Sequence, residues 1–291
     1  MKADDSSFPE ETDHVSAHVE PIFSFDSQKL PPKALHELIE LWQYRDLLRL
    51  LVVNRIKTRY KRSVLGVIWT LLNPLLNTLV LTIAFSQLFR FNLPNYAIYL
   101  LVGLLFWNFF SQSINDSMHT LVWGSGLLKR IYVPRAIFAV AVIGNALINY
   151  LLALIPLVLI MAVLHQPFTN ALWFLPGAVL ILAMFTLGFG LLVSTVAVFF
   201  VDFVDLFGVL LSAWFYLTPI IYPLSIIPPR WLPVIRLNPL VHLVELFRAI
   251  IYQGVMPAAG AWLVSLVLAS VTLVAGWLIF TSKVDEFAYH I

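Results

Sequence analysis

Polar positions divide the chain into unusually long apolar intervals. No Asp, Glu, Lys or Arg occurs within 63–89, 91–115, 136–201, 206–229 or 249–282. A helix crossing a hydrocarbon core of about 30 Å needs about 20 residues at about 1.5 Å each. The first two and last two intervals each fit one crossing. The interval 136–201 fits two, joined at His165-Gln166-Pro167-Phe168-Thr169-Asn170. The pattern predicts six membrane helices: about 64–88, 96–115, 136–163 and 171–199, one from about 206, and a last near 258–281. An even count puts both termini on one side.

Ahead of the first span, residues 33–62 read as an amphipathic interface helix. Tyr44, Leu48, Leu51, Val52 and Ile56 recur at three- and four-residue steps, with Arg45, Arg49, Arg55 and Arg59 elsewhere on the wheel. The first span carries Asn73 and Pro74, and a proline there kinks the helix. After Tyr216 the fifth span breaks. Residues 217–254 hold Pro219, Pro223, Pro228, Pro229, Pro233 and Pro239, and read as short helices dipping into the outer leaflet. Asn238-Pro239 is a helix start, and Glu245 and Arg248 stand three apart, close enough to pair. The fold class expected is therefore an all-α integral membrane protein, with residues 63–282 as its transmembrane domain and 283–291 as a short terminal tail.

Composition supports this reading. Of 291 residues, 60% are hydrophobic and 12% are Asp, Glu, Lys or Arg, about half the charge of a soluble domain. Residues 1–32 are acidic and polar and read as a disordered tail without a signal-peptide apolar region. Net charge is +2, so nothing points to nucleic acid, and the absence of cysteine removes disulfides and thiolate metal sites. Lys and Arg fall unevenly about the spans. Eleven (Arg45, Arg49, Arg55, Lys57, Arg59, Lys61, Arg62, Lys129, Arg130, Arg135, Lys283) lie on the side of the termini and four (Arg90, Arg230, Arg236, Arg248) on the other. The positive-inside rule makes the termini cytoplasmic.

The span centres lack Asp, Glu, Lys and Arg, which leaves no ion-coupling site of the usual kind. His119, His165 and His242 fall in separate loops, with no metal-ligand spacing, and no phosphate-loop motif is present. A membrane enzyme of glycan or lipid synthesis would need carboxylates that are scarce here. Uphill transport would draw its energy from another chain, docked on the cytoplasmic loops. The basic segment Lys129, Arg130, Pro134 and Arg135 is the leading candidate contact, against simple positive-inside anchoring.

Three segments, "RIKTRYKRSVLGVIWTLLNPLL" (55–76), "LLKRIYVPR" (127–135) and "LNPLVHLVELFR" (237–248), resemble in order the permease subunits of ABC-2 type exporters. The likeness is to those exporting O-antigen, capsule or teichoic acid, and runs from about residue 40 to the C-terminus. It implies a homodimer in the cytoplasmic membrane, two copies of an ATP-binding subunit beneath it, and a polysaccharide on a polyprenyl pyrophosphate lipid as cargo. Drugs or simple lipids are the alternative cargoes. No cofactor is expected on this chain; ATP and Mg belong to the partner. The loop carrying Leu127, Leu128, Lys129, Arg130, Tyr132, Pro134 and Arg135 matches the family's coupling helix. Asp202 lies in a turn where many members have Phe-Arg-Asp, but Val201 replaces the arginine. Arg55, Lys57, Arg59, Lys61 and Arg62 are candidates for the pyrophosphate, or for anionic lipid. Tyr96, Tyr99, Trp107, Phe110, Trp214, Tyr216 and Tyr222 are candidates for a sugar channel, against an interfacial aromatic belt. Asn238, Glu245 and Arg248 belong to the matching outer gate helices.

Overall fold

The structure, a computed structural model, describes residues 33–60, 67–88, 93–124 and 133–287. Among them the ordered elements are helical. They are α1 (Lys33–Gln43), α2 (Arg45–Tyr60), α3 (Val67–Leu88), α4 (Tyr96–Trp123), α5 (Ala136–Val163), α6 (Leu175–Phe199), α7 (Phe203–Leu217), α8 (Leu232–Arg236), α9 (Pro239–Ile251) and α10 (Ala259–Lys283). A 3-10 turn, Asn170–Phe174, leads into α6.

Among the described residues, four segments are long and apolar enough to cross a membrane: α4, α5, α6 with its 3-10 turn, and α10. Of the other two expected crossings, α3 is a 22-residue helix whose described apolar stretch is Leu72–Phe85, and α7 is a shorter apolar helix of 15 residues. The 15 residues of α7 rise about 22 Å, less than a hydrocarbon core. Its end falls where the sequence predicts, at Leu217, because Pro219 cannot continue the hydrogen-bond ladder. The expected 165–170 joint is also present: α5 stops at Val163 and His165 takes a left-handed φ of 54°.

The central element is α4. In its most apolar window 78% of residues are buried, against 28% in α5 and α10, which present most of their surface outward. It packs on α3, α5, α6, α7 and α9. Its core is aromatic: Trp107 meets Phe215 edge-on at 5.3 Å and Phe110 meets Trp214 at 5.6 Å. Such pairs contribute about 0.5–1.5 kcal/mol beyond burial. α4 also runs on to Trp123, past the expected end at 115, because no breaker occurs before Gly124.

The most intimate helix pair is α6 with α10. A Cβ on Gly276 would land on the carbonyl oxygen of Gly188, so only two glycines permit this approach. Small residues at such crossings supply the van der Waals contact that holds helices together in lipid.

The amphipathic stretch is two helices, broken at Tyr44. Its apolar face packs inward: Leu41, Tyr44, Leu47, Leu48 and Leu51 cover Val133, Ile137 and Phe138, and Val52 fits over Gly144.

Candidate functional site

Two regions gather the functional side chains, one at each end of the bundle. At the end bearing the termini, the helix ends converge on a second core. Leu121 of α4, Ala136 and Ala139 of α5, Leu191 and Val198 of α6 and Phe280 of α10 surround Phe287 of the tail, which is fully buried. Arg135 sits on this floor. Its Nη1 donates to the carbonyl of Val284, and its guanidinium lies 5.6 Å from the Phe287 ring. Pro134 is buried beside it, and together they fix the chain where it enters α5. Leu127, Leu128, Lys129, Arg130 and Tyr132 lie outside the described residues. Asp202 is exposed at the start of α7 and its side chain makes no cap bond there.

α1 closes the floor from one side. Trp277 Nε1 donates to the carbonyl of Ala34 at 3.0 Å. Glu37 is buried under the helix, and burial followed by the adjacent Glu40 charge pushes its carboxyl up to about 7. Asp285 acts in the same direction, while His36 and Arg135 oppose it.

On α2, Lys57 is exposed and Arg55 turns inward. Arg55 Nη2 donates to Thr120 Oγ1, and Nη1 stands 4.0 Å from an Asp116 carboxylate oxygen. The side chain of Arg59, and Lys61 and Arg62, lie outside the described part of the chain.

At the opposite end the broken segment is clasped by one cation. Arg248 on α9 is 1% exposed. Its Nη1 donates to Glu245 Oε1 at 3.0 Å and its Nη2 to the carbonyl of Ile220 at 2.9 Å. Its guanidinium carbon lies 3.8 Å from the centroid of the Tyr99 ring. Tyr96 and Tyr99 add hydroxyl bonds to the carbonyls of Ile221 and Tyr222, at 2.8 and 3.0 Å. Gly103 leaves room for this packing, since a Cβ there would meet the Ile220 carbonyl at 3.0 Å. Asn238 caps α9: its Oδ1 accepts from the Leu240 N–H at 3.1 Å and from Trp214 Nε1 at 3.0 Å, and its amide donates to Thr218 Oγ1. Backbone that leaves helical geometry at membrane depth must find such partners.

The aromatic candidates separate by burial. Tyr96, Tyr99, Trp107 and Phe110 belong to the packed interior of a single subunit, Trp214 and Tyr222 are half-buried, and Tyr216 is 68% exposed. The Arg135–tail contact and the Arg248–Ile220 bond were not foreseen. Both end on backbone carbonyls, which carry no side-chain signal in sequence. Among the described residues no three His, Cys, Asp or Glu side chains gather as metal ligands.

Apolar crossing helices, a basic amphipathic helix ahead of them and a proline-broken segment near the far end define a multi-pass helical membrane protein of permease type. The chain belongs to the ABC-2 type transporter family, which matches residues 46–252. It is 36% identical to the O-antigen export system permease protein RfbA of Myxococcus xanthus, over 87% of this chain and 98% of that protein. It is 28% identical to an O-antigen export system permease protein RfbA of Klebsiella pneumoniae, over 72% and 82% of the two chains. The polysialic acid transport protein KpsM of Escherichia coli is 28% identical, over 70% and 80%.

Proposed function

We propose that this chain is the permease subunit of an ATP-driven exporter that moves a polysaccharide on a polyprenyl pyrophosphate carrier across the cytoplasmic membrane. The observation that carries the reading is its 36% identity, along 87% of its length, to an O-antigen export permease. Two copies form the pathway and two ATP-binding subunits dock beneath, supplying ATP and Mg chemistry that this chain does not. All six helices α3, α4, α5, α6, α7 and α10 cross, the short α7 completing its span beside a second copy. The exposed apolar faces of α3 (Leu76, Leu79, Val80, Ile83) and α7 (Leu206, Val209, Leu210, Leu217) suit that contact and a lateral entrance for lipid.

Both termini face the cytoplasm, which puts the floor around Arg135 against the ATPase. The 125–135 loop, with Asp202 beside it, receives the push, and Pro134 and Arg135 pass it to α5 and the tail. Lys57, Arg59, Lys61 and Arg62, with Arg55 at the inner end of the run, draw in the pyrophosphate, since several cations suit a polyanion. Tyr216, with the half-buried Trp214 and Tyr222, offers ring faces to the passing sugars. Tyr96, Tyr99, Trp107 and Phe110 back that wall, and α9 with Asn238, Glu245 and Arg248 gates the outer exit.

The test is ATP hydrolysis by the purified permease–ATPase complex with lipid-linked glycan. Lys129→Glu combined with Arg130→Glu lowers glycan-stimulated hydrolysis while membrane insertion is retained. Unchanged stimulation and export in that variant refute the coupling role.

A further inference from the structure

A cavity of about 320 Å³ lies between α2, α4 and α5, within the usual size range of ligand pockets, about 300–1,000 Å³. Its polar lining is Asn54, Arg55, Thr58 and Thr120, and its apolar lining is Leu51, Phe138 and Ala141. Arg55 Nη1 is buried and, among the described residues, hydrogen-bonded to nothing. The nearby Asp116 carboxylate is 4.0 Å away, beyond hydrogen-bond reach, and half exposed. The Arg55 side chain as a whole is 38% exposed, and its open Nη1 on the cavity wall is a donor that an anionic ligand group can complete.

Depth narrows the ligand. Asp116 and Thr120 lie 20 and 24 residues beyond Tyr96, the start of α4. At about 1.5 Å per residue they stand about 30 and 36 Å along the helix, where hydrocarbon gives way to headgroups. Charge narrows it further. An arginine alone calls for an anion, but Asp116 beside it repels a second negative charge. A polyanionic diphosphate is therefore disfavoured, and a ligand with one phosphate and one nearby cation is favoured.

We propose that this cavity binds the headgroup of a phosphoethanolamine lipid. The phosphate accepts from Arg55 Nη1, and from the Thr58 hydroxyl once it turns from the Asn54 carbonyl that it now bonds. The primary ammonium donates to Asp116, and the glycerol and first methylenes lie on Leu51, Phe138 and Ala141. A trimethylated headgroup has no N–H to donate and a glycerol headgroup has no cation for Asp116. The site sets Arg55 apart from the rest of the basic run, whose contact with the pyrophosphate then falls to Lys57, Arg59, Lys61 and Arg62. It rests on the membrane reading of α4 and is independent of which cargo is exported. A lipid wedged here would hold α2 against α4 and α5.

The experiment is native mass spectrometry of the purified full chain. The probes are dioleoyl phosphatidylethanolamine, phosphatidylglycerol and phosphatidylcholine. Phosphatidylethanolamine is expected to persist under activation that strips the other two. Arg55→Gln and Asp116→Asn each lower its affinity at least about tenfold, the size expected when one charge-assisted bond is lost, and Arg236→Gln at the opposite end leaves it unchanged. Should Arg55→Gln fail to accumulate, Asp116→Asn, isosteric and half exposed, decides alone by abolishing the preference for ethanolamine over glycerol. Equal retention of phosphatidylglycerol or phosphatidylcholine, or an unaltered preference in Asp116→Asn, overturns the assignment.

Discussion

Replacing Arg248 by Met keeps the length and apolar volume of the side chain but removes the guanidinium that closes the segment after α7. Three contacts go: the bonds to Glu245 and to the Ile220 carbonyl, and the stack on Tyr99. Glu245, with 38% of its side chain exposed, can rehydrate in place. The buried Ile220 carbonyl loses the bond from Arg248, and an unpaired buried acceptor costs about 2 kcal/mol. The desolvated cation is also gone, which offsets part of the two lost charged bonds. The carbonyl therefore dominates, and it recovers its hydration only when the segment lifts from α4. A shift of about 2 kcal/mol is about a 30-fold rise in the lifted population. The chain has no cysteine, so one introduced at Ile221, 7% exposed, reports on that state alone. Its maleimide labelling rate in the detergent-purified protein should rise about 30-fold in Arg248→Met. A cysteine at Leu237, 82% exposed, labels equally in both backgrounds and controls for global unfolding. Rates at position 221 that agree within about twofold would show that the clasp does not restrain the segment.

Two further perturbations test the opposite end and the helix packing. The Glu37 carboxyl is raised from 4.5 to about 7, so the folded protein holds that proton more tightly than the unfolded chain. Its stabilising share is complete below about pH 4.5 and is lost as pH rises through about 7. The melting temperature should accordingly fall between about pH 5 and about pH 8, and Glu37→Gln should flatten that fall; an equally steep fall in the variant assigns the pH dependence elsewhere. At the α6–α10 crossing, Gly276→Ala forces the helices apart and should cost at least about 1–3 kcal/mol, read as a lowered melting temperature. Gly260→Ala, where a Cβ would meet open space, should leave it unchanged, and matching melting temperatures in the two variants would contradict the close-crossing argument.

Proline and glycine punctuation made much of the fold legible. The end of α7 before Pro219, the cap at Asn238-Pro239 and the turn at His165 are local events, written in residues that restrict or relax φ. The reach of α4 to Trp123 was hidden because Asp116 ends an uncharged run without ending a helix. The face of α2 was legible as a stripe, but a stripe does not say whether lipid or protein covers it; here Ile137, Phe138 and Gly144 of α5 do. The aromatic residues show the same limit: Trp107 and Phe110 read alike with Tyr216 in sequence, yet the first two are interior and the last is exposed.

The glycine contact between α6 and α10 also bears on motion. With backbone against backbone at Gly188 and Gly276, neither helix can slide or roll without the other, so the pair behaves as one rigid body. Through Phe280 and Phe287 that body extends to Arg135 and the start of α5. A displacement of Arg135 would therefore move the start of α5, α6, α10 and the tail together. α3 and α7 are held less closely: among the described residues, Leu76, Leu79, Val80 and Ile83 of α3 and Leu206, Val209, Leu210 and Leu217 of α7 stand exposed.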